Sequence, residues 1–135
     1  MSAGLGWAAM ALVLASLVGC ASAAGGDCCG APARGLVRHV VLFKFKDDAP
    51  PDQVRAIEAK FRELKLKIPA IQDFEWGTNI SPENRSEGFT HCFVLTFRDA
   101  AARDSYLPHP AHKEFGAQLR PCLDKVLVID YLSRD

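Results

Sequence analysis

Apolar side chains follow two different periods between Val37 and Leu132, and these periods predict alternating strands and helices. The segments "VRHVVLFKFK", "IQDFEWG", "FTHCFVLTFR" and "KVLVIDYL" read as strands. A long helix follows the first strand, because apolar residues recur there at spacings of three and four: Val54, Ile57, Phe61, Leu64 and Ile68. Two further helices are predicted in "AAARDSYL", after the capping residue Asp99, and in "PAHKEFGAQL", from Pro110. The predicted fold is α+β and ferredoxin-like, in the order β-α-β-β-α-α-β, with a four-stranded antiparallel sheet.

The predicted sheet carries apolar side chains on both faces. In the first strand His39 and Val41 alternate with Val40 and Leu42, and in the third strand Val94 belongs to the second of these faces. Helices can cover only one face of such a sheet, and the other would leave a larger apolar patch than soluble monomers usually expose. We therefore predict a homodimer in which a second copy covers the face carrying Val40, Leu42 and Val94.

The first 35 residues differ in composition from the rest. No charged side chain precedes Gly19, and "WAAMALVLASLV" has the length of the apolar region of a signal peptide. The following "LVGC" resembles the bacterial lipobox, in which the cysteine is acylated and becomes the first residue of the mature protein. We predict a lipoprotein-type signal peptide at 1–19, a lipidated Cys20, a flexible tether at 20–35 and a folded domain at 36–135. The alternative is an ordinary signal peptide cut near "ASAA". Both readings predict export, either to a bacterial envelope through the lipid anchor or to the periplasm or medium.

Charge and cysteine content restrict the possible partners. Sixteen Lys and Arg residues balance sixteen Asp and Glu residues, so the chain has no basic surplus with which to bind nucleic acid. The five cysteines show no C-x-x-C spacing, and we predict no metal site and no cofactor. The adjacent Cys28 and Cys29 would bridge each other only with strain, which leaves a disulfide to a second chain or no bond. Cys92 and Cys122 are interpreted as small core residues.

Five segments of the domain carry a family resemblance: "RHVVLFKFK", "IPAI…WG", "EGFTHCFVLTF", "YLPHPAH…F" and "IDY". They resemble the stress-responsive dimeric A/B-barrel family over about Leu36 to Tyr131, and within it a plant polyketide cyclase. The resemblance implies a ferredoxin-like domain that pairs sheet to sheet. It also implies that Glu58 and Leu123 stand where the cyclase has large aromatic side chains around an apolar pocket.

The segment "YLPHPAH" contains the candidate chemistry. If Pro110 is the first helical residue, His112 lies in the first turn, where the helix dipole disfavours the imidazolium and leaves a neutral ring that can accept a proton. His109 precedes Pro110 and is pushed out of helical conformation, so His109 and His112 need not lie on one turn as metal ligands would. Tyr106 could donate its hydroxyl to an oxygen on which negative charge develops.

By the resemblance, Tyr106 and His112 match the cyclase's catalytic tyrosine and histidine, and His39 and His91 match histidines that line the same pocket. We predict a pocket between sheet and helices with two catalytic residues, Tyr106 and His112. Its predicted ligand-binding residues are His39, Val41, His91, Phe93 and His109. The alternative is structural, because buried histidines and tyrosines are commonly hydrogen-bonded parts of the core.

Two functions follow from this pattern. The first is a lipid-anchored, stress-associated dimer that binds a small molecule in the His/Tyr pocket without changing it. The second is a polyketide-cyclase-like enzyme that catalyses aldol-type proton transfer, with His112 as base and Tyr106 as hydrogen-bond donor.

Overall fold

A computed structural model describes residues 35–134, which contain seven elements in the predicted order. The strands are β1 (Val37–Phe45), β2 (Ile71–Thr78), β3 (His91–Phe97) and β4 (Leu123–Leu132). The helices are α1 (Pro51–Lys67), α2 (Ala100–Tyr106) and α3 (Pro110–Leu119). The predicted α+β class and element order are confirmed.

The predicted signal peptide, the lipidated Cys20 and the tether cysteines Cys28 and Cys29 lie outside the described residues. Within residues 35–134, no helix combines the length and the apolar character needed to cross a bilayer.

Helix α1 begins and ends where its prolines place it. Pro51 occupies the first helical turn, where a missing N–H costs nothing, and Ile68, which precedes Pro69, leaves the helix in an extended conformation. The predicted apolar stripe is the buried face of the helix, through Ile57, Phe61 and Leu64. Burial of this stripe fixes α1 on the sheet.

The four strands form one antiparallel sheet in the order β2-β3-β1-β4. On the central strand β1, His39 lies opposite Leu95 of β3 and Asp130 of β4. Its neighbour Val40 lies opposite Val94 and Ile129. Directly opposite residues point to the same face of a sheet, so His39 and Asp130 share one face. We call the other face, which the helices leave uncovered, the open face; its apolar members are Val40, Leu42, Cys92, Val94, Leu127 and Ile129.

The core lies between the helices and the face that carries His39. Phe61 of α1 is its centre, with ring centroids 4.5 Å from Phe93 and Phe115 and 5.6 Å from Phe43. Interlocking rings at these distances leave little free volume. The predicted ligand contacts Val41 and Phe93 are part of this core, exposed by only 5% and 0%.

Strand β4 extends beyond the cover of the helices and is exposed on both faces. Val126 and Val128 point to the helix side and are 50% and 51% exposed. Leu127 and Ile129 point to the open face and are 40% and 51% exposed. An edge strand with apolar side chains on both faces is a surface that proteins usually cover.

The two cysteines of the domain differ in environment. Cys122 is buried, as predicted, and its thiol lies 3.2 Å from the Gln53 side-chain oxygen. Cys92 is only partly buried and belongs to the open face, so its interpretation as a core residue is wrong. Partial burial raises the pKa of the Cys92 thiol, and the nearby Glu75 carboxylate adds to the effect.

Candidate active site

The junction of α2 and α3 positions Tyr106 and His112. Asp99 caps α2, since its Oδ1 accepts a hydrogen bond from the Ala102 N–H at 2.8 Å, and Tyr106 is the last residue of that helix. Pro110 begins α3, as predicted, so His112 lies in its first turn. The short link between the helices therefore brings the phenol and the imidazole together, with ring centroids 4.3 Å apart.

The hydrogen bond of His112 fixes which of its nitrogens carries the proton. Nδ1 lies 2.9 Å from the Leu107 carbonyl oxygen, which can only accept a hydrogen bond. Nδ1 therefore donates, and in the neutral ring Nε2 presents a lone pair. This is the arrangement that a general base requires. The partner of His112 is thus a backbone carbonyl of the helix junction.

Tyr106 is 1% exposed and packs between two imidazoles. Its ring centroid is 5.7 Å from that of His39, in addition to the contact with His112. Burial raises the pKa of the Tyr106 phenol far above its usual range, since the phenolate would lose its hydration. The hydroxyl therefore stays protonated at physiological pH and is available only as a neutral hydrogen-bond donor or acceptor.

His39 is held by a carboxylate on the neighbouring strand. Its Nδ1 lies 2.6 Å from Oδ1 of Asp130, and the other oxygen of Asp130 contacts the Arg103 guanidinium of α2. Nδ1–H donates to the carboxylate, so Nε2 of the neutral His39 ring is also the unprotonated nitrogen. Asp130 and Arg103 were missed in the sequence analysis, although Asp130 is part of the "IDY" segment and lies at an inward position of β4.

The structure separates His91 from His39, Tyr106 and His112. His91 lies opposite Phe43 on β1, four residues along the strand from His39, which corresponds to about 13 Å. The core rings of Phe43 and Phe93 lie at this end of the sheet, and His91 contacts Glu58 and Thr90 there. His39, Tyr106 and His112 thus form one cluster, and His91 belongs to another.

His109 has a structural contact in this fold. It is the N-cap of α3, and its Nδ1 accepts a hydrogen bond from the Ala111 N–H at 3.2 Å. Its proposed contact with a ligand, like those of Val41, Phe93 and His91, stays a prediction.

Two cavities among the described residues are lined by neither Tyr106 nor His112. One, of about 610 Å³, lies between the β2–β3 loop and the open face and is lined by Trp76, Thr90, His91 and Cys92, among others. The second, of about 450 Å³, lies beside α2 and includes Ala102 and Ser105. The predicted pocket between sheet and helices is not one of these two. Residues 35–134 also contain no cluster of three or more His, Cys, Asp or Glu side chains that could hold a metal ion.

A family profile decides the classification. The stress-responsive A/B barrel domain matches residues 37–133, nearly all of the described residues. The chain belongs to this family. Among its relatives, the stress-response A/B barrel domain-containing protein HS1 of Arabidopsis thaliana is 41% identical over 99 residues, which are 73% of this chain and 91% of that protein. Olivetolic acid cyclase of Cannabis sativa is 35% identical over 98 residues, 73% of this chain and 97% of the cyclase. The predicted resemblance is confirmed.

Solved structures of similar proteins show the same fold. A hydroxynitrile lyase from Passiflora edulis superposes with a TM-score of 0.71 and is 29% identical, covering 76% of this chain and 96% of the lyase. A dimeric protein of unknown function and ferredoxin-like fold from Bacteroides fragilis has a TM-score of 0.61 and 29% identity, covering 74% of this chain and 98% of that chain. The predicted ferredoxin-like fold is confirmed, and dimers occur among its structural neighbours.

Proposed function

We propose that this A/B barrel protein catalyses proton transfer next to a carbonyl group, with His112 as the base and Tyr106 as the hydrogen-bond donor. The observation that carries the proposal is the hydrogen bond from His112 Nδ1 to the Leu107 carbonyl, because it leaves Nε2 free to accept a proton beside a phenol that stays protonated. Two similar proteins, a cyclase and a hydroxynitrile lyase, are named as enzymes, which supports a catalytic role for the fold.

The reaction proceeds in two proton steps. His112 Nε2 removes a proton from the carbon beside the carbonyl, and the Tyr106 hydroxyl donates a hydrogen bond to the oxygen that becomes an enolate. In an aldol-type cyclisation the enolate carbon then attacks a second carbonyl of the same molecule. The new alkoxide takes the proton from His112, which restores the neutral base. No other reactant is consumed.

By the cyclase resemblance, the chain differs from the cyclase near His91, at the end of the sheet away from His112. Glu58, which stands where the cyclase resemblance implies an aromatic side chain, forms a 3.0 Å contact with His91. A carboxylate paired with an imidazole is a poor lining for an alkyl chain. We therefore propose a carbonyl substrate that carries no long alkyl chain.

A homodimer is the proposed assembly. The support comes from the exposed apolar side chains of β4, from the uncovered open face and from dimeric structural neighbours. The proposed partner is a second copy of the chain.

The catalytic proposal can be tested with acetophenone, a simple methyl ketone, in deuterated buffer. Incorporation of deuterium into its methyl group, followed by NMR, measures proton removal directly. We expect His112→Ala to lower the protein-dependent rate by about 10²–10⁴-fold and Tyr106→Phe by about 10²–10³-fold. Lys113→Ala, which changes an exposed neighbour of His112 on the same helix, is the control and should leave the rate unchanged.

The second candidate function, binding without reaction, predicts a different outcome. Acetophenone or a related ketone would broaden its NMR lines with the wild type and not with His112→Ala, and no deuterium would be incorporated. A purely structural role predicts a lower melting temperature in both variants with neither binding nor exchange in the wild type. That last result would refute both functions.

Export with a lipid anchor at Cys20 is also proposed, on the evidence of "LVGC" directly after the apolar run. One acyl chain anchors a protein only marginally, and lipoproteins carry more than one. We expect the wild type in the membrane fraction of a bacterial host, with acyl groups on Cys20 by mass spectrometry, and Cys20→Ala to lose both. An unacylated wild type that fractionates as a soluble protein would contradict the proposal.

A further inference from the structure

The second histidine cluster has its own chemical arrangement. His91 lies between a hydroxyl and a carboxylate: Nδ1 is 2.8 Å from Thr90 Oγ1, and Nε2 is 3.0 Å from Glu58 Oε1. The side chains of His91 and Glu58 are 10% and 19% exposed, so water screens their contact only in part.

A single neutral tautomer satisfies both contacts. A carboxylate can only accept, so Nε2–H donates to Glu58, and Nδ1 is then an acceptor for the Thr90 O–H. The order hydroxyl, imidazole and carboxylate is the one that activates a hydroxyl as a nucleophile, since the imidazole takes its proton and the carboxylate orients the ring.

Aromatic neighbours hold the His91 ring in this orientation. Trp76 lies nearly parallel to it, with an interplanar angle of 3° and centroids 6.5 Å apart, and Phe45 meets it edge-on at 4.9 Å. The imidazole therefore cannot turn away from Thr90 without losing both contacts.

Thr90 is exposed and, with His91, lines the cavity of about 610 Å³. This volume is in the range of small-molecule sites. On its other side the same cavity is bounded by Leu42, Val94 and Leu127 of the open face, which the second copy of the proposed dimer would cover. It does not include Tyr106 or His112, so the arrangement is separate from the site proposed above.

We propose that Thr90, His91 and Glu58 form a second reactive site that accepts the acyl group of small carboxylic esters. Thr90 Oγ attacks the ester carbonyl carbon while its proton passes to His91 Nδ1, and Glu58 stabilises the imidazolium. The ester C–O bond breaks, and the leaving alkoxide takes the proton from His91. Water then releases the acyl group as a carboxylic acid by the same steps and restores Thr90.

The test uses the full chain and 4-nitrophenyl acetate. Release of 4-nitrophenolate gives the rate, and peptide mass spectrometry after rapid acid quenching locates the acetyl group. We expect acetylation at Thr90 and not at Thr78, a threonine that lines the same cavity and lies opposite His91 but makes no hydrogen bond to its ring within residues 35–134. Thr90→Val, which keeps the side-chain shape, should abolish this label, and Glu58→Gln should slow labelling at least about tenfold.

Controls separate this site from general surface reactivity. Ser105→Ala removes a hydroxyl on α2, away from the cavity, and should label Thr90 at the wild-type rate. Circular dichroism of each variant checks that it is folded. Acetyl groups found only on lysines, or 4-nitrophenolate release that is equal in wild type and Thr90→Val, would overturn the proposal. Either result would leave the His112 proposal unaffected, because neither His112 nor Tyr106 lines this cavity.

Discussion

The exposed strand β4 makes the homodimer testable by one substitution. Ile129 lies in the middle of this strand on the open face, opposite Val40. Replacing it by lysine puts a charge at the centre of the proposed interface, and lysine is a residue that natural edge strands use to prevent pairing. The folded monomer should tolerate Ile129→Lys, because the side chain can extend into solvent when no partner is present.

The expected effect follows from the exposure of β4. Ile129 is 51% exposed, so a partner that covers it removes roughly 80–90 Å² from water, which corresponds to about 2 kcal/mol. A two-fold dimer buries this side chain twice, which gives about 4 kcal/mol and raises the dissociation constant about 10³-fold. The exposed apolar residues of β4 that point to the open face together offer roughly 250–300 Å² of the about 800 Å² per partner in a standard interface. They are Leu127, Ile129 and Tyr131.

Sedimentation velocity over a range of concentrations measures the dimer directly. We expect a dimer for the wild type at micromolar concentration and a monomer for Ile129→Lys. Leu66→Lys is the matched control, because Leu66 is 86% exposed on α1 and lysine in the last turn of a helix is favourable. A monomeric wild type, or a dimer that survives Ile129→Lys unchanged, would refute the reasoning from the open face.

Three further predictions concern a helix cap, the core and the charged partner of His39. Hydrogen bonds from the Ala102 N–H and Arg98 hold the pKa of Asp99 below its usual range. The stability that the Asp99 carboxylate contributes to the fold is therefore present above about pH 4 and is lost as the pH falls further. Asp99→Ala should lower the melting temperature at pH 7, and Asp99→Asn should largely restore it. Phe61→Ala should cost about 3–5 kcal/mol in a urea titration, while Leu66→Ala on the exposed side of α1 stays near wild type. Asp130→Asn should lower the free energy of unfolding by on the order of 1–3 kcal/mol and slow deuterium exchange into acetophenone, because it removes the charged partner of His39. Unchanged exchange would exclude a role for this carboxylate.

The fold was predictable because its signals are local and repeated. Alternation in β1 and β3 identifies strands, and Pro51 and Pro110 place helix starts to within a residue. The end of α1 before Pro69 has the same origin, since the residue before a proline avoids helical backbone. Cys92 was misplaced because it alternates with core residues on an apolar strand, and periodicity gives two faces without saying which one the helices cover.

The candidate site was predictable in part. Tyr106 and His112 come from one short segment, so the link between α2 and α3 brings them together whatever the rest of the fold does. The division of the histidines into two clusters depends on strand register, which pairs His39 with Leu95 and Asp130. Register is set by tertiary packing of the whole sheet, and a single sequence does not specify which carboxylate of a distant strand lies opposite a given histidine.

Strand β4 connects the proposed dimer to the His112 site, because its consecutive side chains point to opposite faces of the sheet. Ile129 points to the open face, and Asp130 points to the helix side, where it binds His39 at 2.6 Å. Among the described strands β4 pairs only with β1, so the dimer would provide the second support that keeps Asp130 in place. A monomeric Ile129→Lys should therefore exchange deuterium into acetophenone more slowly than the wild type, although residue 129 does not face the site. Asp130→Asn should show the same loss while remaining a dimer. Full exchange by a monomeric Ile129→Lys would mean that β1 alone holds β4 firmly enough to orient His39.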